Sequence, residues 1–309
     1  MRLWLAPLDG ITNYQYRNCL CLHFKGIDNF ITPFLPVQER AKLNVKKWKD
    51  IWPKHNELLP AIPQLMGNKA AHFVDTLQAM HEAYGYTAFN WNIGCPVAQV
   101  VRRTRGCGVM PYPDIVEDVV AAVTEHTPFH FSLKMRLGLH DKRESLAILD
   151  RMERYPLQFV VIHPRTGDQL YEGVPDIEAF AECLCHTHHR IVYSGDIWTL
   201  ADWQRLQAQF PKVQDWMLGR GILQNPFLAE EIKGMASGGE KERFLRYYQR
   251  YTDELLEARK EKSTLFILKS LWHYYAVFAK LTGYELKNML RINEFDEFYE
   301  KSIAYLQRL

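Results

Sequence analysis

The sequence has no hydrophobic run long enough to cross a membrane. Its longest apolar stretches, such as residues 159–162, are far shorter than the roughly 20 residues that a membrane helix needs. The N-terminus enters a strand-like segment at once, so no secretory signal is visible. We therefore expect a cytoplasmic protein without a membrane partner.

Paired-cysteine patterns are also missing. The 6 cysteines include no CxxC pair and no spacing typical of a secreted disulfide framework. Residues 183–189 are rich in cysteine and histidine, but thiols two positions apart point in opposite directions on a strand and roughly 200° apart on a helix. Because metal ligands must converge on one point, we expect no metal site, and a reducing compartment fits best.

The chain carries little net charge, +2 over 309 residues, and has no low-complexity tract or internal repeat. A nucleic-acid partner would therefore be bound by local basic patches and not by a global field. With 47% hydrophobic and 24% charged residues, the composition is that of a globular protein. The length allows one large α/β domain with a smaller appendage. We expect a monomer.

Short apolar segments recur through the first 220 residues, mostly at intervals that can hold a helix. The eight strand candidates are 3–7, 29–32, 61–64, 88–92, 130–135, 159–163, 191–194 and 216–219. Polar residues follow several of them. Eight βα units with polar groups at the carboxyl ends of the strands predict a TIM barrel and its active-site face. A doubly wound sheet with insertions is the alternative.

The alternation ends at a glycine- and serine-rich joint at residues 234–239. Beyond it the apolar residues recur at helical spacing, which predicts a small helical bundle. We therefore predict a barrel domain over residues 1–236 and a helical domain over residues 240–309, some of whose basic residues contact phosphate.

Cys95 directly follows a strand candidate and precedes a loop with Arg102, Arg103 and Arg105. A free cysteine is usually buried and inert. A partly exposed thiol near cations can instead act as an acid or a nucleophile. The neighbouring motifs favour the second interpretation.

Further polar residues follow the later strands. Lys134 and Arg136 share one strand face, and a buried cation there needs an anionic partner or a substrate carbonyl. His163 adds a titratable imidazole at the end of the next strand. Each residue alone is more often structural, but together on neighbouring strand ends they predict a site.

Small residues and one guanidinium follow the last two strands. Ser194, Gly195 and Asp196 come after strand seven, and Gly219 and Arg220 after strand eight. Loops at these places commonly bind phosphate in barrels, although the glycines could be ordinary turn residues. Their joint position favours the phosphate interpretation.

Taken in order, these motifs resemble the tRNA-dihydrouridine synthases of bacterial type. The resemblance covers residue 2 to about residue 230 and is weaker in the helical tail. The motifs that carry it are Ala6 to Asn13 with Arg17, Gln64 to Gly67, Asn92 to Pro96, Lys134 to Gly138, His163 to Thr166, Gly195 to Ile197, and Leu218 to Gly221.

The resemblance implies an FMN enzyme that reduces the C5=C6 bond of particular uridines in tRNA with NADPH as hydride source. Cys95 would donate the proton. Of the two substrate residues that it implies, Asn92 would contact the uracil or the flavin, and Arg136 would support the site. The cofactor residues that it implies are Pro7, Leu8, Gln64, Lys134, His163, Ser194, Gly195, Asp196, Gly219 and Arg220.

The chain departs from the family at several places. Ser194 replaces a usual asparagine, Ala98 and Gln99 replace lysines, Thr32 with Pro33 replaces an acidic position, and Cys107 replaces a small residue. Two other functions stay open at this point. One is a flavin barrel acting on a free pyrimidine, similar to dihydroorotate dehydrogenase, and the other is a non-catalytic RNA-binding barrel.

Overall fold

The computed structural model describes residues 1–39, 48–235 and 238–308. Its strands are β1 (Arg2–Leu5), β2 (Asn29–Ile31), β3 (Leu35–Pro36), β4 (Ala61–Ile62), β5 (Gln64–Met66), β6 (Ala88–Ile93), β7 (His130–Gly138), β8 (Val160–Thr166), β9 (Ile191–Tyr193) and β10 (Asp215–Leu218).

The α-helices of the first 235 residues are α1 (Tyr14–His23), α2 (Ala70–Tyr84), α3 (Ala98–Val101), α4 (Pro113–His126), α5 (Arg143–Met152), α6 (Ile177–Cys185), α7 (Leu200–Gln209), α8 (Arg220–Gln224) and α9 (Leu228–Ile232). Four more follow: α10 (Glu240–Ala258), α11 (Glu261–Phe278), α12 (Gly283–Leu290) and α13 (Phe295–Leu306). Short 3-10 turns lie at Lys49–Ile51, Pro53–His55 and Gly106–Val109.

All strand pairings are parallel, and their order runs from β5 through β6, β7, β8, β9, β10, β1 and β2 to β4. Pro63 joins β4 to β5, and the Asn90 N–H donates to the Pro63 carbonyl at 2.9 Å, so the ring continues across this break. The predicted TIM-barrel architecture is confirmed, and the doubly wound alternative is excluded.

The predicted strands differ from the observed ones at few places. The candidate at residues 61–64 is split at Pro63, because proline has no N–H to donate to the ladder. Strand β7 extends beyond the predicted end at residue 135 to Gly138 and so includes Arg136. Strand β3 was not predicted; it follows β2 in the chain and pairs with β5, so that it continues the pairing of β2 with β4 around the ring.

The amino-terminal half of the barrel interior is filled. Trp4 and Phe159 meet across it with ring centroids 4.9 Å apart, and Val161, Val192 and Met217 belong to the same buried cluster. Layers of large side chains make a barrel a packed core and not a pore. The space for a ligand therefore lies at the opposite end, where the strands finish.

Helices α10 to α13 form the predicted C-terminal helical region, and they pack on the barrel. Tyr16 of α1 lies edge-on to Tyr247 and Tyr251 of α10, at centroid distances of 6.3 Å and 5.8 Å. Arg243 of α10 donates to the His23 carbonyl at 2.8 Å. Residues 236 and 237 of the predicted joint lie outside the described residues, and the division into two domains stays a prediction. None of the described helices is long and apolar enough to span a membrane.

Candidate active site

A cleft of about 560 Å³, including its open mouth, lies at the carboxyl ends of the strands. Its lining includes all the predicted cofactor residues except Gln64. These are Pro7, Leu8, Lys134, His163, Ser194, Gly195, Asp196, Gly219 and Arg220. Gln64 is fully buried beneath the mouth, where it bonds to Asn92 and Asn90. The parallel barrel thus brings together residues that are more than 200 positions apart in the sequence.

Cys95 lies in the loop after β6, at the same end of the barrel. The backbone N–H groups of Gly94 and Cys95 both donate to Asn92 Oδ1 at 3.0 Å. The Cys95 carbonyl accepts the Cys107 N–H at 3.0 Å, which ties the loop to the 3-10 turn that follows. The predicted catalytic cysteine therefore sits on a loop whose backbone is bonded on both sides.

The Cys95 thiol is partly buried, and this burial raises its pKa above the usual 9.0, with Asp9 acting in the same direction. Arg136 and Lys134 act in the opposite direction but do not reverse the shift. The basic neighbours therefore do not produce a thiolate. At neutral pH Cys95 keeps its proton, which suits a proton donor better than a nucleophile.

Lys134 projects from β7 into the cleft. Burial, together with the neighbouring Arg136, lowers the pKa of Lys134 to about 8. Across residues 1–39, 48–235 and 238–308, Lys134 has no hydrogen bond or ion pair with another side chain. A partly buried cation without an acidic partner is costly, so the site favours a ligand with a negatively charged or strongly polar group.

His163 lines the cleft as a neutral imidazole. Burial and the cations Arg136, Lys134 and Arg165 hold the pKa of His163 well below 6.5. Arg165 Nη1 lies 3.1 Å from His163 Nε2, and since a guanidinium only donates, Nε2 is the acceptor. The proton is therefore on Nδ1.

Asp196 joins two arginines at the phosphate end predicted from the sequence. Arg165 is fully buried and forms an ion pair with Asp196, and Arg220 Nη2 donates to the same carboxylate at 2.6 Å. These guanidinium groups hold the pKa of Asp196 below its usual range against the effect of burial. The loops after β9 and β10 also approach closely, because a Cβ on Gly221 would lie 2.0 Å from the Ile197 carbonyl oxygen.

Tyr171 was not predicted, yet it covers the cleft. Its ring lies 5.2 Å from the Arg136 guanidinium and 4.9 Å from that of Arg220, and 6.1 Å from the His163 ring. The side chain is 51% exposed. It comes from the loop after β8, and no strand or helix pattern marks it, so only the fold reveals its position.

Arg136 links two loops of the mouth. It is 2% exposed, and it donates through Nε to the Gly94 carbonyl at 3.0 Å and through Nη1 to the Thr166 carbonyl at 2.8 Å. The sequence predicted a contact with substrate or support of the site. That role stays a prediction; the Gly94 carbonyl that Arg136 holds belongs to the residue before Cys95.

The cysteine and histidine residues at 183–189 do not converge. Cys183 is buried, His186 pairs with Asp150 at 2.9 Å, and His189 lies 3.0 Å from the Met152 carbonyl. Nowhere in the described part of the chain are three or more His, Cys, Asp or Glu side chains grouped to hold a metal ion.

The comparison with protein families agrees with this geometry. The model of the dihydrouridine synthases matches residues 4–294, which is nearly the whole chain. The chain belongs to the dihydrouridine synthase family. It is thus a member of an oxidoreductase enzyme family, as the sequence motifs predicted.

Individual members of the dihydrouridine synthase family are moderately similar. The tRNA-dihydrouridine(16) synthase of Cupriavidus necator is 29% identical over 252 residues, which cover 77% of this chain and 75% of the relative. The tRNA-dihydrouridine synthase B of Pasteurella multocida is 27% identical, with 76% of this chain and 69% of the relative covered.

Solved structures share the fold at low sequence identity. Morphinone reductase in complex with tetrahydroNAD has a TM-score of 0.52 and 12% identity, covering 77% of this chain and 88% of the other. Histamine dehydrogenase from Rhizobium sp. 4-9 has a TM-score of 0.51 and 11% identity, covering 75% of this chain and 45% of the other. At this identity the likeness shows the fold alone.

Proposed function

We propose that this dihydrouridine synthase reduces the C5=C6 bond of a uridine in tRNA, with FMN bound in the cleft, NADPH as hydride source and Cys95 as proton donor. The observation that carries the proposal is one cleft that gathers the predicted cofactor residues other than Gln64. Cys95 does not line this cleft, but it lies close enough to the lining residue Lys134 for each group to affect the pKa of the other. The relatives named as tRNA-dihydrouridine synthases support the substrate class.

The residues of the cleft fit FMN in two respects. Lys134 lacks an acidic partner among the described side chains and suits the electron-rich ring. Arg220 and the small residues Gly195 and Gly219 suit the phosphate end, and a Cβ on Gly219 would meet only Ala6, at 3.5 Å. When bound, FMN supplies the hydride that NADPH provides.

The protein's own part in the reaction is to hold a proton and exclude water. Cys95 retains its proton at neutral pH because burial raises the pKa of the thiol. It donates this proton to C5 of the uracil, while Arg136 fixes the peptide before it through the Gly94 carbonyl. His163 stays neutral because burial and nearby cations lower its pKa, and it supplies an N–H at Nδ1.

The substrate must leave the tRNA stack, since neither face of a stacked pyrimidine is accessible to two donors at once. The segment after Cys95, residues 97–112, suits this step, and we call it the rim. Val97 and Tyr112 are more than half exposed near the Cys95 loop, and Arg102 and Arg103 are exposed in the same loop. Apolar contacts for bases thus lie next to cations for phosphates.

Position 16 is the uridine that we propose to test first. Relatives that bear this position in their names include those of Cupriavidus necator and Shigella flexneri, at 29% and 27% identity. A relative named as synthase B lies in the same range of identity, so mapping of the product is required.

The test incubates the purified protein with an unmodified tRNA transcript and NADPH. We expect a flavin spectrum, oxidation of NADPH that depends on tRNA, and dihydrouridine in the nucleoside mass spectrum. Cys95→Ala should keep the flavin spectrum and lose dihydrouridine formation. Turnover of that variant at the wild-type rate would remove Cys95 from its role.

The same assay separates the other two functions. Reduction of free uracil or a similar small substrate without tRNA would favour a pyrimidine reductase. Binding of tRNA without any flavin would favour a non-catalytic RNA-binding barrel. A comparison of NADPH with NADH tests the hydride donor.

A further inference from the structure

A row of buried polar side chains crosses the barrel interior below the cleft. We call Ser132, Asn90, Gln64 and Asn92 the amide chain. Ser132 Oγ accepts from Asn90 Nδ2 at 2.9 Å, Asn90 Oδ1 accepts from Gln64 Nε2 at 2.7 Å, and Gln64 Oε1 accepts from Asn92 Nδ2 at 2.9 Å. The links join strands β5, β6 and β7.

Both ends of the amide chain are backbone groups whose roles are fixed. At one end Ser132 Oγ donates to the Phe89 carbonyl at 3.0 Å, and a carbonyl only accepts. At the other end Asn92 Oδ1 accepts the N–H groups of Gly94 and Cys95, which only donate. The group at each end therefore determines which side of every amide between them carries the oxygen and which carries the NH2 group, and the two ends require the same arrangement.

Water does not replace a broken link, because Ser132, Asn90 and Gln64 are all 0% exposed. Hydrogen bonds in such a row strengthen one another, and a buried donor or acceptor without its partner is costly. Rotation of any one amide would break bonds on both of its sides. The amide chain therefore holds Asn92 in the one orientation that receives the Cys95 N–H.

We propose that Ser132 and Asn90 are positioning residues of the reaction. Through Gln64 and Asn92 they keep the peptide of Cys95 at a fixed place, so that its thiol points at the substrate position. The inference rests on the proposed role of Cys95 as the proton donor. Neither Ser132 nor Asn90 was among the site residues predicted from the sequence.

The test measures the accessibility of Cys95 and not only turnover. Ser132→Ala removes a single oxygen atom, and Asn90→Leu removes the amide while keeping the number and branching of the side-chain heavy atoms. Each variant is treated with iodoacetamide across a pH series, and alkylation of Cys95 is followed by peptide mass spectrometry. The exposed Cys185 is the internal reference for reagent and pH.

We expect alkylation of Cys95 relative to Cys185 to become about 5-fold faster in both variants, the size of effect that follows from removal of one buried hydrogen bond. The pH profile of Cys95 alkylation should shift as the loop opens. In the uridine assay kcat should fall by a similar factor with the KM for tRNA unchanged.

Ser302→Ala is the matched control. Ser302 is also 0% exposed, and its hydroxyl donates to the Phe298 carbonyl at 2.8 Å, but it lies in α13. It should leave Cys95 alkylation unchanged. Ser132→Thr keeps the hydroxyl and should restore the wild-type alkylation rate and pH profile.

Unchanged Cys95 alkylation in folded Ser132→Ala protein would overturn the inference, and so would an equal effect of Ser302→Ala. If Asn90→Leu does not fold, Ser132→Ala decides. The proposed function has its own test: it is wrong if the wild-type protein forms no dihydrouridine. In that case the alkylation comparison still shows whether the amide chain positions Cys95.

Discussion

At the scale of single residues, Lys134 shows a conflict between stability and function. Its folded pKa of about 8 lies below the unfolded value of 10.5, so the unfolded chain binds more protons between these pH values. Lys134 should therefore increase the free energy of unfolding of the flavin-free protein as the pH rises from about 8 toward 10.5. Below pH 8 the buried charge is a cost.

Lys134→Met should therefore stabilise the flavin-free protein at pH 7, by about 1–3 kcal/mol, because the change removes an unpaired and partly buried charge. It should also weaken the binding of reduced flavin relative to oxidised flavin. The measurements are urea unfolding at pH 7 and pH 10 and the flavin midpoint potential. The exposed Lys262→Met is the control and should change neither quantity. If Lys134→Met is less stable than wild type at pH 7, the Lys134 charge is stabilised by a partner in the flavin-free protein and this prediction is wrong.

The sequence predicted the cleft residues that lie at the ends of strands, because parallel strands must finish at one mouth. It did not predict Tyr171, Asn90 or Ser132. Tyr171 comes from an irregular loop whose path depends on contacts with Arg136 and Arg220. Asn90 and Ser132 lie within strands. Side chains alternate between the two faces of a strand, but this alternation does not tell which face is the lumen of the barrel.

At the scale of elements, the turn after the Cys95 loop depends on Gly106. Its φ is +55°, and an added Cβ would lie 2.4 Å from the Cys95 carbonyl oxygen and 2.9 Å from the Cys95 Cβ. Gly106→Ala should therefore both strain the turn and push Cys95 out of place. The expected decrease is about 2 kcal/mol or more in the free energy of unfolding, from left-handed backbone strain plus the clash.

Gly85→Ala is the control for Gly106→Ala. Gly85 has a φ of +76° at the end of α2, but an added Cβ meets nothing within 4 Å. It should show only the strain contribution, about 1–2 kcal/mol, and keep dihydrouridine formation. The measurements are thermal unfolding and the tRNA assay. Equal activity of the two variants would mean that the Cys95 loop tolerates the displacement.

The element boundaries illustrate what local patterns miss. Pro63 divides the third strand candidate, and the ring stays closed because β4 pairs with β2 while β5, which follows directly in the chain, pairs with β3 and β6. Strand β7 runs past its predicted end because its backbone pairs with β8 as far as Gly138, opposite Thr166. Cys107 is a departure from the family, and it fits because Gly167 leaves the space, since a Cβ added to that glycine would lie only 2.7 Å from the Cys107 sulfur. All three depend on contacts distant in the sequence.

At the scale of the whole molecule, recognition of tRNA should depend on the rim more than on net charge. Arg102 and Arg103 are exposed and have no ion-pair partner within the described ranges. Arg102→Gln with Arg103→Gln should weaken tRNA binding and reduce the slope of log K against log salt by about 1 for each phosphate that is no longer neutralised. Filter binding across a salt series measures this, and the flavin spectrum should not change.

Arg154→Gln is the control for the rim. Arg154 is 64% exposed, but it pairs with Glu117 of α4, away from the cleft. Its replacement should leave the salt slope unchanged. If Arg154→Gln reduces the slope as much as the double variant at Arg102 and Arg103, the contacts with tRNA are spread over the surface and the rim does not dominate binding.

The barrel and the helical region should unfold together. One buried hydrophobic cluster includes Tyr16 and Phe24 of the barrel with Tyr247 of α10, and Phe24 meets Tyr247 at 5.1 Å between centroids. Tyr247→Ala should destabilise both parts by about 3–5 kcal/mol, since it opens a cavity between them. Calorimetry should show one transition that moves as a whole. Tyr284→Ala, at a side chain 76% exposed in α12, should not move it. Two transitions, of which Tyr247→Ala shifts only one, would show that residues 240–309 fold as an independent domain.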